Sequence, residues 1–288
     1  MSDIPFIKMN GLGNDFAIFD GRHHPIEISA KAAALIADRA EGVGCDQVIV
    51  MEPSTKADVF MRIYNADGSE VDACGNATRC IARIIAGELN QVGVQIETNA
   101  GVLVSQISGS ENITVDMGVP KFGWQDIPLS EEFADTRRIE LQVGPQSAPL
   151  LHTPSVVNVG NPHCIFWVQD VNDYDLQGFG PMLENHMMFP ERANISLAHI
   201  VSKTEINLKV WERGAGITKA CGTGACAAAV AAARIRETGR NVTVHLPGGD
   251  LNIHWRESDD HILMTGPTEV EFKGEIDAAS FELDRVLS

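Results

Sequence analysis

Apolar and polar positions alternate in short runs along most of the chain, and only three segments carry the longer period of a helix. The pattern predicts strands at 16–19, 47–51, 59–64, 102–107 and 113–117. It predicts further strands at 165–169, 206–211, 242–246, 251–255 and 262–265, and helices at 30–40, 76–89 and 223–237. On the second helix Ile81, Ile84, Ile85 and Leu89 form one apolar stripe. Residues 227–233 are small and apolar all round, which suits a central helix wrapped by sheet. Segment 118–128, with two prolines and two glycines, reads as a crossing between domains.

The pattern also repeats. Ala73-Cys74-Gly75 returns as Ala220-Cys221-Gly222, a shift of 147 positions. The same shift carries Gly13-Asn14 onto Gly160-Asn161, Gln47 onto Asn194, and Ile63-Tyr64-Asn65 onto Val210-Trp211-Glu212, without a gap. Matches in one register imply a duplicated unit, and such a unit usually packs on its copy about a pseudo-twofold axis. Cys74 and Cys221 would then confront each other across a cleft.

At 288 residues the chain suits two domains, expected at 1–122, with 267–288 returning to it, and at 123–266. The hydrophobic content of 44% allows sizeable cores. A net charge of −17 disfavours nucleic acid and anionic membrane surfaces as partners. No stretch approaches the roughly 20 apolar residues of a membrane span, and residues 1–10 lack a signal-peptide pattern, so a soluble cytoplasmic protein is expected. Six cysteines are too few for a disulfide scaffold. Cys45, Cys80, Cys164 and Cys226 read as small buried apolar side chains. The Cys74–Cys80 and Cys221–Cys226 separations miss the usual zinc spacing, so no metal is expected.

Cys74 and Cys221 differ from these four. Each ends a polar loop and is followed by glycine and then a capping-type residue, Asn76 or Thr223, where a helix should begin. The positive end of a helix lowers a nearby thiol's pKa, and its N–H groups can hold a carboxylate. Inverting a stereocentre by proton transfer needs a base on one face and an acid on the other, and a thiolate and a thiol can supply both near neutral pH.

With these residues in view, the chain resembles diaminopimelate epimerase. The resemblance rests on Gly11-Leu12-Gly13-Asn14-Asp15-Phe16, Gly42-Val43-Gly44-Cys45-Asp46-Gln47, Asn65-Ala66-Asp67-Gly68-Ser69, Ala73-Cys74-Gly75-Asn76, Gly160-Asn161-Pro162-His163, Glu212-Arg213-Gly214 and Ala220-Cys221-Gly222-Thr223-Gly224-Ala225. These run in family order over nearly the whole chain. The resemblance implies an α/β fold of α+β type, with two pseudo-symmetric domains, each a curved mixed sheet around a central helix, and a homodimer. It implies epimerisation of LL-2,6-diaminopimelate to the meso form, without pyridoxal phosphate or another cofactor, in lysine and peptidoglycan precursor synthesis.

By this match Cys74 and Cys221 form the proton-transfer pair, and backbone N–H groups of Gly75, Asn76, Gly222 and Thr223 hold the reacting carboxylate. Asn14, Gln47, Asn65, Asn161, Asn194, Glu212 and Arg213 match substrate contacts, and His163 and Glu212 help to order or deprotonate the thiols. Ala77 stands where the family commonly has glycine, and alanine there favours the helix. The tail 281–288 is expected to be peripheral.

A proline or hydroxyproline racemase of the same fold is the nearest alternative. It would leave Asn65, Asn161, Asn194 and Arg213 nothing to bind. A cysteine hydrolase would have no use for a duplicated cysteine. A thiol redox switch is a third class, because cysteines near enough to share a carbon can be near enough to oxidise, which is expected to inactivate the enzyme.

Overall fold

The computed structural model describes residues 3–109, 112–279 and 284–285. The chain divides into two compact units, one made of the chain up to Val115 and from Thr265 onward, the other of Asp116–Met264. The fold is a mixed, sheet-dominated α+β architecture with four helices among the described residues.

In the first unit Asn14–Asp20 runs parallel to Gln47–Glu52, which pairs antiparallel with Val59–Asn65. Both faces of the first two strands are buried, as expected of strands covered by helices on each side. Phe16, Ile18, Ile49 and Met51 join the core around helix α2 (Gly75–Leu89), while Ala17, Phe19, Val48 and Val50 join the core around helix α1 (Ala30–Ala37). Val59–Asn65 continues in parallel to Gly93–Thr98, and Ile4–Gly11 forms a hairpin with Asn14–Asp20. Helix α2 therefore packs along the sheet with its first turn at the strand ends that carry Asn14, Gln47 and Asn65.

The second unit repeats this plan in the same register. Phe16 stands opposite Gln47, and 147 positions on His163 stands opposite Asn194. Val48 opposite Tyr64 becomes Ile195 opposite Trp211, and Tyr64 opposite Glu70 becomes Trp211 opposite Ile217. One residue is gained after the helix, since Val59 faces Ile96 whereas Ile206 faces Val244. Helix α3 (Leu176–Glu184) takes the place of α1. Helix α4 (Gly222–Arg234) touches strands Ser155–Asn158, Pro162–Trp167, Asn194–Ser202, Glu205–Glu212, Asn241–Leu246 and Gly249–Trp255, and is buried from Gly224 to Ala232, as its alanine-rich sequence predicts.

The departures from the sequence pattern have local causes. Helix α1 stops at Ala37, because Asp38 caps the chain by accepting from the N–H groups of Ala40 and Glu41. Leu89 leaves the predicted stripe and is 52% exposed, next to Asn90, whose left-handed φ of 52° ends α2. Strands Ile4–Gly11, Gly93–Thr98, Asn194–Ser202 and Glu269–Ile276, and helix α3, add to the predicted elements. Of the tail 281–288 only Asp284–Arg285 is described, paired with Ile26–Glu27; its other residues lie outside the described set. No helix among the described residues is long and apolar enough to cross a membrane.

Candidate active site

Each unit presents one cysteine at the start of its central helix. The expected caps, Asn76 and Thr223, are not the caps. The helices begin one residue earlier, at Gly75 and Gly222, and Cys74 and Cys221 are themselves the N-cap residues. Both have extended backbones, and their sulfurs accept from the third helical N–H, that of Ala77 at 3.5 Å and of Gly224 at 3.3 Å. Glycine follows each cysteine, and Gly224 has room only for hydrogen, since a Cβ there would meet Val210 at 2.9 Å and Cys221 Sγ at 3.2 Å.

In the first unit Asn14 Oδ1 lies 3.9 Å from Cys74 Sγ and accepts from Asn76 Nδ2 at 3.2 Å. Gln47 Nε2 donates to Asn65 Oδ1 at 3.0 Å across neighbouring strands, and Asn65 Nδ2 donates to Ser69 Oγ at 3.1 Å. Asn14, Cys74 and Asn76 thus form one group and Gln47 with Asn65 another.

In the second unit Asn161 Nδ2 reaches Thr223 Oγ1 at 3.5 Å, and Thr223 Oγ1 lies 3.5 Å from Cys221 Sγ. Asn161 Oδ1 meets His163 Nε2 at 2.9 Å. Asn194 ties the start of strand Pro162–Trp167 to the turn after Glu212, donating to Pro162 O at 3.0 Å and accepting from Arg213 N at 2.9 Å. The Arg213 guanidinium is tethered to Glu191 O at 2.9 Å, and Thr218 Oγ1 donates to the Glu212 carboxylate.

At Cys221 the electrostatics correct the expectation of a low thiol pKa. Burial pushes the Cys221 thiol well above the usual thiol range, and the neighbouring Glu212 carboxylate raises it further, against the downward pull of Thr223 and the Gly224 N–H. Burial also holds His163 down to about 3, helped by the positive charge of Arg213, so this imidazole stays neutral. Cys45, Cys80, Cys164 and Cys226 are at most 1% exposed, as predicted. Burial lifts the thiols of Cys45 to about 11 and Cys80 to about 12.

Two carboxylates that sequence alone did not single out support the half-sites. Asp46 holds the Asn14 amide, with Asn14 Nδ2 donating to its Oδ2 at 2.9 Å. Glu184, buried at the end of α3, accepts from Trp211 Nε1 at 2.7 Å and Gly214 N at 3.0 Å, and so pins the turn carrying Glu212 and Arg213. Asp46 lay within a recognised motif, but Glu184 had no local signal.

The fold and the paired caps define a duplicated, sheet-rich protein class with one helix-capping cysteine in each half. Among solved structures this architecture is similar to that of a phenazine biosynthesis protein of the PhzF family from Bacillus anthracis, with a TM-score of 0.68 and 17% identity over 96% of this chain and 100% of that one. It is also similar to a hydroxyproline epimerase from Agrobacterium vitis, with a TM-score of 0.64 and 13% identity over 96% and 91%. At those identities the likeness is one of fold.

The family model for diaminopimelate epimerase matches residues 6–123 and 155–271. Proteins named diaminopimelate epimerase from Rhodopseudomonas palustris and Afipia carboxidovorans are each 56% identical to this chain, over 279 and 281 residues, covering 96% of this chain and 96% of each relative. The chain belongs to the diaminopimelate epimerase family.

Proposed function

We propose that this protein interconverts LL- and meso-2,6-diaminopimelate by a two-base transfer between Cys74 and Cys221, in cytoplasmic lysine and peptidoglycan precursor synthesis, and that it acts as a homodimer. The observation that carries the mechanism is the duplicated cysteine cap, present in both halves at equivalent positions of matching strand registers. Family membership carries the substrate.

One cysteine, as thiolate, takes the α-proton: its S–H bond forms as the C–H bond breaks, leaving the electron pair delocalised into the substrate carboxylate. The other cysteine, as thiol, returns a proton to the opposite face and becomes the thiolate. The N–H groups of Gly75, Asn76, Gly222 and Thr223 hold that carboxylate, where the positive ends of the helix dipoles stabilise the developing charge. Asn14, Gln47, Asn65, Asn161, Asn194, Glu212 and Arg213 contact the substrate, many of them at its distal amino-acid group, for which amides and an oppositely charged pair are suited. Glu212, beside Cys221, serves as its proton acceptor, and His163 fixes the Asn161 amide.

The test is incubation with LL-2,6-diaminopimelate in D₂O, following meso product and α-deuterium in wild type, Cys74→Ala and Cys221→Ala. Epimerisation with deuterium in the product, lost in both variants, is the expected outcome. A wild type that leaves diaminopimelate untouched but racemises proline or hydroxyproline would overturn the substrate assignment.

A further inference from the structure

Asp46 has no part in the chemistry above, yet it sits at the centre of a charged cluster behind Asn14. Its Oδ2 accepts from Asn14 Nδ2 at 2.9 Å and from the Asp15 N–H at 3.1 Å, and its Oδ1 accepts from Arg39 Nη2 at 2.8 Å. The Asp46 N–H in turn donates to Asp15 Oδ1 at 3.0 Å. Asp15 is paired with Arg39 and with Lys8, whose buried ammonium also donates to Gly44 O at 2.8 Å. The Asp46 carboxylate is thus fixed from several directions.

An amide has a donor end and an acceptor end. With Nδ2 bound to a carboxylate, Asn14 must turn Oδ1 the other way, towards Asn76 Nδ2 and Cys74 Sγ. The reversed amide would set oxygen against the Asp46 carboxylate and N–H against the N–H of Asn76, losing both bonds. We propose that Asp46 is a positioning residue for Cys74: by fixing the Asn14 amide it sets which group faces the sulfur and aligns the S–H. The proposal builds on the proton-transfer role given to Cys74 above. The second half does this differently, because the position equivalent to Asp46 is Ala193 and the Asn161 amide is set by His163.

The test compares Asp46→Asn, Asp46→Ala, Asn14→Ala and the double variant Asn14→Ala/Asp46→Ala. Asparagine at 46 keeps a carbonyl oxygen where Oδ2 now accepts from Asn14 and Asp15, whereas alanine keeps nothing. Expected is a kcat within about threefold of wild type for Asp46→Asn and a loss of about tenfold or more for Asp46→Ala, exceeding any rise in KM. In the same proteins, the ratio of Cys74 to Cys221 alkylation by iodoacetamide, read by mass spectrometry, should change by about threefold or more in Asp46→Ala and stay near wild type in Asp46→Asn. In the Asn14→Ala background, removing Asp46 should cost nothing further, because the two act as one unit.

Equal losses in Asp46→Asn and Asp46→Ala, an unchanged alkylation ratio, or additive effects in the double variant would each overturn the proposal. If Asp46→Ala does not fold, Asp46→Ser carries the same comparisons, since a shorter hydroxyl cannot span to the amide. The alkylation ratio needs no turnover, so a protein inactive on diaminopimelate would defeat the proposed function and still leave this test standing.

Discussion

Cys221 shows two opposed effects meeting in one side chain. The helix start offers an N–H at 3.3 Å to its sulfur, yet burial and the Glu212 carboxylate win and keep the thiol protonated. In the proposed mechanism the carboxylate that disfavours the thiolate is also the acceptor of its proton. Replacing Glu212 by glutamine should therefore move Cys221 alkylation to lower pH, with Cys74 as internal reference, while lowering kcat by about tenfold or more, because an amide cannot accept the proton. Alkylation at unchanged or higher pH would show that the carboxylate is not the neighbour that matters. The same measurement on Cys80, whose thiol burial lifts to about 12, should show no reaction in the folded protein.

At the level of helices and strands, Gly180 decides how α3 meets the site. A Cβ at this position would press into the Trp211 indole, whose Nε1 is held by Glu184 four residues further along the same helix. Gly180→Ala should cost about 1–3 kcal/mol through overpacking, seen as a lower denaturant midpoint, and should raise KM as the turn holding Arg213 shifts. A midpoint equal to wild type would mean that α3 can slide freely. That helix was invisible in the sequence because Pro181 and two glycines interrupt its period. Gln47–Glu52 and Val59–Asn65 were legible as β-branched or alternating runs bounded by polar turns. Asn194–Ser202 was less so, since it alternates only over Asn194-Ile195-Ser196-Leu197, a short run, and its first five residues are buried on both faces. Glu269–Ile276 alternates strictly, Val270, Phe272 and Ile276 against Glu269, Glu271, Lys273 and Glu275, and is legible as a strand although most of it is exposed. The two cysteines could be found because the repeat marks them twice. Asp46 and Glu184 act through other residues and are defined only once the chain is folded.

For the molecule as a whole, one buried imidazole ties folding to pH. His163 holds a pKa of about 3 when folded, against 6.5 as its ordinary value. The folded protein keeps it neutral while the unfolded chain takes up a proton below pH 6.5, so the stabilisation is complete above that pH and is lost as pH falls towards 3. By linkage the loss has reached about 1 kcal/mol at about pH 5.5. His163→Phe, which installs the residue found at the equivalent position 16, should flatten the stability curve between about pH 6.5 and 5, measured by urea unfolding; an unchanged slope would place the proton elsewhere. The equivalence of Phe16 and His163 has a wider consequence. A dimer of one ancestral unit would surround both its thiols with the same neighbours. Joining two copies in one chain lifts that constraint, and here Phe16 and His163, Asp46 and Ala193, and Asn65 and Glu212 have drifted apart. Each copy can then be tuned separately, but detailed balance limits what tuning achieves: the individual steps can be made unequal, while the proportion of the two stereoisomers at equilibrium stays fixed by the substrate alone.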